Sequence, residues 1–300
     1  MCVYRSVGAR SSGACAPKDK LETMHWTGNP SVHFAFEVAG YVAAAVLYTI
    51  VRQRRGDTVT DHARAFVLAG AALGAMIGTR LLFWLCDPAL TLHNLGNPAY
   101  LLGGKTVVGG LLGGLIGVEL AKRIIGVRRS TGDLFVLPII AAMCIGRIGC
   151  LLAGPMDHTA GDPTTLPWGI AIADGVRRHP VALYEIAFLL VLAMGLRGLA
   201  VSESRSGAPR DHETSRPRNP QWHEGDHFRL FMTAYLAFRL AIDFLKPEPK
   251  PLVLGMSAIQ WACIAGLLYY ALVFSNDQRH ASVSLLRRRR VDLHDVLPQD

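Results

Sequence analysis

The chain has 300 residues, of which 51% are hydrophobic and 18% are charged, and its mean hydropathy is +0.28. Soluble domains carry about 25% charged residues, so this composition favours a membrane protein over a soluble domain. The formal net charge of +8 would suit a nucleic-acid-binding protein, but the basic residues are divided among alternate loops and form no single surface. We therefore expect a membrane environment and no nucleic-acid partner.

Seven apolar runs come close to the length of about 20 residues that a helix needs to cross a bilayer. They occupy residues 32–51, 65–86, 107–125, 133–153, 181–198, 229–245 and 255–274. The sixth run is the weakest, because Arg229, Arg239 and Asp243 interrupt it. Each run is expected to be helical, because hydrocarbon offers no water to the backbone polar groups. The sequence thus predicts an all-α, polytopic membrane protein with seven transmembrane helices in a domain at 32–274.

The segments outside these runs are polar. Residues 1–31 form an N-terminal tail whose first 23 residues carry no apolar stretch, so no signal peptide is predicted, and Met24 is a candidate start. The proline-containing stretch at 199–228 predicts a flexible loop, and residues 275–300 form a basic tail. The six cysteines lack the spacing of a metal site or a disulfide framework.

The basic residues predict the orientation of the helices. Lys and Arg concentrate in the loops at 52–64, 122–129, 197–229 and 275–300. These loops hold 19 of them, against nine in the intervening loops and the N-terminal tail. The positive-inside rule then places the N-terminus outside and the C-terminus inside, with Arg287–Arg290 at the anionic inner surface. The loop at 154–180 becomes a small head on the outer side.

Several polar and charged side chains fall near one level, mostly in the outer half of the predicted bilayer. They are Glu37, Arg80, Lys105, Arg147, Tyr184, Glu185, Tyr235, Arg239 and Asp243. An intramembrane charge costs at least about 2.5–3.5 kcal/mol, so such groups usually face a cavity or each other. The three arginines predict a polar chamber that binds a lipid phosphate, because guanidinium groups make forked hydrogen bonds to phosphate. The alternative is that they pair with the carboxylates and only lock the helices together.

Glycines recur at four-residue spacing in the second and third runs. They are Gly70, Gly74 and Gly78, followed by Gly109, Gly110, Gly113, Gly114 and Gly117. This spacing clears one face of a helix, so that another helix or a lipid can approach its backbone. Helix packing is the favoured interpretation for the second run. For the third run, both packing and the approach of a ligand stay open.

Several short stretches, taken together and in order, resemble the prolipoprotein diacylglyceryl transferases of bacterial inner membranes. The resemblance covers about residues 30–275. It consists of GGLLGGLIG at 109–117, GRIG at 146–149, LPWGIAI at 166–172, HPVALYE at 179–185, the trio Tyr235, Arg239 and Asp243, and Gln260 in the last run. A family member is expected to be an enzyme of the inner membrane.

The resemblance implies an activity and a set of site residues. The family transfers a diacylglyceryl group from phosphatidylglycerol to the thiol of a lipobox cysteine in an exported prolipoprotein, and glycerol phosphate leaves. Arg147 and Arg239 would hold the phosphate, Tyr235 would orient the headgroup, and His179 and Glu185 would frame the outer mouth. Further expected contacts to the lipid come from Gly109, Gly110, Arg80 and Asp243. No metal or cofactor is implied, and the protein is expected to act as a monomer.

The sequence departs from the family pattern where a general base is expected. The family has a histidine before the paired glycines of the third run, and here Val108 stands there. The asparagine that follows GRIG is Cys150 here, and the glutamate that follows Arg239 by four residues is Asp243. The HFAFE stretch at 33–37 lacks the family's tyrosine, and the glutamate expected soon after GRIG is absent.

Four side chains are candidates to replace the missing base. They are Asp157, His158, His179 and Glu185. His158 is the first choice, because the intrinsic pKa of histidine suits proton transfer near neutral pH. Cys150 could be a covalent nucleophile beside Arg147, but a small packing residue is the favoured interpretation.

Two alternative functions remain open at this point. One is a related phospholipid-dependent transferase whose acceptor is not a lipobox protein. The other is a lipid-binding or transport protein without chemistry. Release of glycerol phosphate, with or without modification of a lipobox peptide, distinguishes the three.

Overall fold

The computed structural model describes residues 30–57, 59–153, 161–171, 175–205, 224–246 and 252–275. Within these ranges the chain is nearly all helical. The helices are α1 Pro30–Arg55, α2 Asp61–Cys86, α3 Pro88–His93, α4 Pro98–Gly103, α5 Val107–Ile125, α6 Val136–Ala153, α7 Val181–Arg205, α8 Asp226–Ile242 and α9 Ala258–Ser275. Single 3-10 turns at Asp133–Phe135 and Asp243–Leu245 precede α6 and follow α8.

Two short strands form the only sheet among the described residues. β1 (Ile170–Ala171) and β2 (Arg177–Arg178) pair antiparallel, with Ile170 opposite Arg178. The hairpin lies within the predicted head at 154–180. The predicted tails at 1–29 and 276–300, which include Met24 and Arg287–Arg290, lie outside the described residues.

Each of the seven apolar runs coincides with a helix, and five of these helices are long and apolar enough to cross a membrane, within the described ranges. They are Ser31–Arg55, Asp61–Cys86, Asp133–Ala153, Val181–Ala200 and Ala258–Ser275. The two others are α5, which carries Glu119, Lys122 and Arg123 near its end, and α8, which has 17 residues. The structure therefore confirms a helical chain with several membrane-crossing candidates, and the count of seven stays a prediction.

Local sequence signals explain the sharp turns between α2 and α5. The Asp87 carboxylate accepts a hydrogen bond from the Leu90 amide at 3.0 Å, and Pro88 starts α3. Asn97 caps α4 in the same way, and Pro98 starts that helix. Side-chain caps and a first-turn proline are typical helix starts, because the first amides lack partners within the helix. These two short helices return the chain to begin α5.

α2 and α5 pack antiparallel through their glycines. Gly78 lies against Gly109, Gly74 against Gly113, and Gly70 against Gly117. A Cβ atom added to Gly74 would collide with the Gly113 carbonyl oxygen and come within 2.9 Å of the Gly117 Cα. The packing interpretation of the glycines in the second run is thus confirmed.

The long helices alternate in direction, which defines two ends of the bundle. We call the end at which α5, α7 and α9 begin the upper end and the opposite end the lower end. The core between them is apolar and includes Leu189, Phe231, Met232 and Leu236, which are fully buried. Large apolar side chains such as Leu73 and Ile77 of α2 remain exposed on the outside of the bundle. An apolar exterior of this kind suits contact with lipid.

Candidate functional site

Five polar side chains from α6, α7 and the end of α8 are buried together at the upper end. They are Arg147, Glu185, Tyr235, Arg239 and Asp243, and none is more than 8% exposed. Arg147 Nε lies 2.9 Å from Glu185 Oε2, and the Tyr235 hydroxyl donates to Glu185 Oε1 at 2.9 Å. Arg239 Nη2 lies 3.0 Å from Asp243 Oδ1. We call these five residues the upper cluster.

The start of α9 supports the upper cluster through a capping box. Ser257 Oγ accepts from the Gln260 amide at 3.0 Å, and Gln260 Oε1 accepts from the Ser257 amide at 2.8 Å. The Ser257 hydroxyl donates its own proton to Asp243 Oδ2 at 2.8 Å. This reciprocal arrangement satisfies amides at a helix start and fixes the orientation of the hydroxyl group. Gln260 therefore acts on the site through Ser257, and Ser257 holds the carboxylate that pairs with Arg239.

The upper cluster keeps hydrogen-bonding capacity for an anion. Arg239 Nη1 is buried and has no hydrogen-bond partner among the described residues. An unpartnered buried donor on a cation is costly, so it points to a group that completes the site. Lys246 follows the turn after α8, and its side chain interacts electrostatically with the four charged residues of the upper cluster.

Two of the three arginines form the ion pairs expected if these charges only hold the helices together. Arg147 pairs with Glu185, and Arg239 pairs with Asp243. These pairs offset the cost of burying each charge. They leave Arg239 Nη1 without a partner in the described part of the chain, so pairing accounts for the burial of the arginines but not for all of their donors.

Arg80 contacts a different part of the upper end. Its Nη1 donates to the Gly104 carbonyl at 2.6 Å and holds the segment before α5. Nearby, Glu37 pairs with Lys105, and the Tyr41 hydroxyl donates to the same Glu37 oxygen at 2.8 Å. The structure shows no hydrogen bond or ion pair between Arg80 and the upper cluster within its described residues. A contact from Arg80 to the lipid stays a prediction.

His179 lies in a loop that is tied to the turn after α8. Its amide donates to the Asp162 carbonyl at 3.0 Å, and the Asp162 amide donates to the Leu245 carbonyl at 2.8 Å. The His179 ring lies 3.3 Å from the Tyr184 hydroxyl, which also accepts from the Trp168 indole at 2.8 Å. The loop therefore packs next to the upper cluster. His158 and Asp157 fall at 154–160, outside the described residues.

The remaining predicted residues lie on α5 and α6. Gly109 packs against α2, whereas a Cβ atom at Gly110 would meet only Thr79, at 3.9 Å. Val108 is 1% exposed and belongs to the apolar core that includes Tyr235. Cys150 is buried, with its sulfur 3.8 Å from Arg147 Nη1. Ligand approach at Gly109 and Gly110 stays a prediction.

Lys246 and Ser257 were not predicted from the sequence as site residues. Lys246 follows Asp243 by three residues, so the turn that buries Asp243 also presents the lysine to the cluster. Ser257 and Gln260 have the spacing of a capping box, S-x-x-Q, which was a detectable signal. Their contact with Asp243 depends on how α8 and α9 meet, which no local pattern records.

The fold and the upper cluster define a class of protein: a helical, multi-pass membrane protein with paired arginines buried between helices at one end. A sequence model described as prolipoprotein diacylglyceryl transferase matches residues 32–275. The chain belongs to the prolipoprotein diacylglyceryl transferase family. Membership confirms the resemblance noted in the sequence.

Similar proteins include three named phosphatidylglycerol–prolipoprotein diacylglyceryl transferase. That of Nitratidesulfovibrio vulgaris strain Hildenborough is 32% identical over 232 residues, covering 73% of this chain and 74% of the relative. That of Clostridium tetani is 25% identical over 260 residues, covering 82% and 95%. That of Frankia alni is 29% identical over 295 residues, covering 96% and 71%.

Proposed function

We propose that this protein transfers the diacylglyceryl group of phosphatidylglycerol to the cysteine thiol of a prolipoprotein. The observation that carries this proposal is the buried pair Arg147 and Arg239 inside the region that matches the family. The names of the relatives state the same lipid and the same class of acceptor. The reaction belongs to lipoprotein biogenesis.

The chemistry is a displacement at the glycerol carbon that carries the phosphate. A bond forms between the thiol sulfur and this carbon, and the carbon–oxygen bond to phosphate breaks. The bonding electrons stay on the phosphate oxygen, and the thiol proton must be taken up. One additional negative charge therefore develops on the leaving glycerol phosphate, which is where preorganised cations stabilise a transition state.

The geometry supports a division of roles within the upper cluster. Arg239 offers Nη1 to the phosphate while its Nη2 is held by Asp243. Arg147 is held through Nε by Glu185 and contacts the Cys150 sulfur through Nη1, and its charge would add to that of Arg239 at the headgroup. Tyr235 donates to Glu185 and so orients that carboxylate. Further candidate contacts to the lipid are Arg80, Gly109, Gly110 and His179. His158, which lies outside the described residues, stays a candidate base.

We place the upper end on the periplasmic side of a bacterial inner membrane. The lower end carries basic side chains at the end of α1 and in the last turn of α5, which fits the positive-inside rule. α5 packs along the length of the membrane-crossing candidate α2, and α8 supplies two residues of the upper cluster. We therefore count both as membrane-spanning, which gives seven helices with the N-terminus outside and the C-terminus inside. A monomer contains every residue of this site.

The activity is tested with purified protein, phosphatidylglycerol labelled in its headgroup glycerol, and a lipobox peptide. We expect labelled glycerol phosphate to be released as the peptide gains the mass of a diacylglyceryl group. A peptide with serine in place of the lipobox cysteine is the control and stays unmodified. Release without peptide modification would indicate a different acceptor, and no release at all would leave a lipid-binding protein.

A further inference from the structure

Lys246 ends the 3-10 turn that follows α8, and backbone contacts fix its position. Its amide donates to the Asp243 carbonyl at 3.3 Å. The preceding carbonyl, that of Leu245, accepts from the Asp162 amide at 2.8 Å and ties the turn to the loop that carries His179. The lysine therefore follows the cluster residue Asp243 on the same turn, and the residue before it is bonded to this loop.

Charged groups from several neighbouring elements act electrostatically on the Lys246 side chain. They are Arg147 of α6, Glu185 of α7, Arg239 of α8 and Asp243 of the turn, and Asp162 lies in the loop that packs on the turn. Both cluster carboxylates are already engaged, Glu185 by Arg147 and Tyr235, and Asp243 by Arg239 and Ser257. Within the described part of the chain, Lys246 makes no side-chain hydrogen bond or ion pair.

This environment favours the neutral amine. Burial, followed by repulsion from Arg239 and then Arg147, lowers the pKa of Lys246 from its usual 10.5 to about 7. The carboxylates act in the opposite direction and do not cancel this effect. Near neutral pH this side chain therefore has a neutral amine form that can accept a proton, beside two guanidinium groups that cannot release one.

We propose that Lys246 is the catalytic residue that accepts the proton of the attacking thiol. The inference rests on the proposed function. As the sulfur–carbon bond forms, the thiol proton moves to the Lys246 amine, and the electrons of the breaking carbon–oxygen bond stay on the phosphate. The new ammonium then faces the phosphate that has just gained a negative charge. Protons and charges balance without a further reactant.

The assignment explains how a histidine can be missing from α5. Val108 stands at the family's histidine position and is buried in the apolar core, and its side chain has no group that accepts a proton. A free thiol has a pKa of about 8.5, so a base that titrates near 7 is well matched to it at neutral pH. In a buried site, the gain of an ammonium charge also offsets the growing charge of the phosphate.

The first test is Lys246→Arg, which keeps the positive charge and removes a base that works at neutral pH. We expect the kcat for peptide modification to fall about 100-fold at pH 7, with the KM for phosphatidylglycerol changed less than threefold. The loss should shrink at least tenfold by pH 9, because the thiol then ionises without help. For the wild type, kcat/KM should decrease as the pH drops below about 7, the pKa of the proposed base. This decrease should be absent in the variant.

Lys122→Arg is the matched control. Lys122 is also buried, but it pairs with Glu119 at 2.8 Å near the lower end of α5, so its replacement should leave the pH profile unchanged. If Lys246→Arg instead keeps its activity within threefold, or loses lipid affinity with the wild-type pH profile intact, the proton-accepting role is wrong. Wild-type protein that releases no glycerol phosphate would contradict the proposed function itself.

Lys246→Ala provides a second test that does not depend on the arginine variant. We expect imidazole, a small base with a pKa near 7, to raise the activity of this variant about tenfold. The rescue should increase with pH, because the neutral fraction of imidazole rises. Millimolar guanidinium is the control, because it supplies charge without accepting a proton. Rescue by guanidinium, or no rescue by imidazole, would overturn the proposal.

Discussion

Two groups of paired charges lie at opposite ends of the bundle, and they differ in how their arginine donors are satisfied. At the lower end, Arg64 donates through Nε to Asp57 Oδ2 at 2.8 Å and makes a second contact to Asp57 through Nη2. Arg52 joins Asp57 at 2.9 Å and also reaches Asp61. Two arginines thus face two aspartates. This lower cluster ties the end of α1 to the start of α2.

The upper cluster is satisfied less completely. Arg147 pairs with Glu185 and Arg239 pairs with Asp243, but Arg239 Nη1 has no partner among the described residues. Arg64 Nη1 also lacks a hydrogen bond within the same described ranges, but the guanidinium carbon lies 5.9 Å from the centre of the Phe135 ring, whose face attracts a cation. The contrast indicates that side chains of the protein complete the lower cluster, whereas the upper cluster keeps a donor for an anion.

The largest expected effect is on activity at the upper cluster. Arg239→Ala should lower glycerol phosphate release by at least about 10³-fold, because it removes a donor aimed at the developing charge. Arg147→Ala should act in the same direction. The protein should still enter the membrane and purify as a folded species, which is checked by size-exclusion chromatography.

Arg229→Ala is the control on the same helix. Arg229 lies near the start of α8, 3.3 Å from Asp226, and its loss should leave the release rate within about twofold. If Arg147→Ala and Arg239→Ala both kept full activity, the upper cluster would be structural like the lower one.

At the lower cluster the expected effect is on stability. Arg64 is 2% exposed, and Arg64→Ala leaves Asp57 with only Arg52 as its partner, so the loss of a charged hydrogen bond should cost about 1.5–3 kcal/mol. Thermal unfolding in detergent measures this loss. The activity of each molecule that remains folded should be unchanged. If Arg64→Ala lowered turnover without lowering stability, the lower cluster would not be purely structural.

The glycine-lined contact between α2 and α5 offers an uncharged comparison. Gly74→Ala should destabilise the protein by about 1–3 kcal/mol, because its Cβ atom would collide with the Gly113 carbonyl. Gly114→Ala is the matched control. Its Cβ atom would lie 3.5 Å from Ala71 O and 3.6 Å from Ala75 Cβ, in ordinary contact, so its unfolding should shift by less than about 0.5 kcal/mol. Equal effects at both positions would contradict this packing.

The smallest expected effect is at Cys150, next to Arg147. If the thiol only packs beside the guanidinium, Cys150→Ser should keep the rate of glycerol phosphate release within about threefold of wild type. The rate is measured with the same lipid and peptide. A loss as large as that of Arg147→Ala would favour a covalent role for the sulfur.

Much of the upper cluster could be predicted from the sequence, because an intramembrane charge is conspicuous against an apolar run. Arg147, Glu185, Tyr235, Arg239 and Asp243 were predicted to lie at one depth, and the structure brings them together. Depth says nothing about position around the bundle, however. Arg80 shares the predicted level but bonds to Gly104 and makes no described contact with this cluster.

The sequence by itself determined the helices, the apolar exterior and the kind of polar residue at each depth, because hydrophobic periodicity and the cost of burying charge act over one or two turns of chain. Only the tertiary structure decided which cation finds a carboxylate and which does not. Lys246 shows the reason. Its pKa depends first on burial and then on the charges of Arg239, Arg147 and Glu185, which belong to three separate helices.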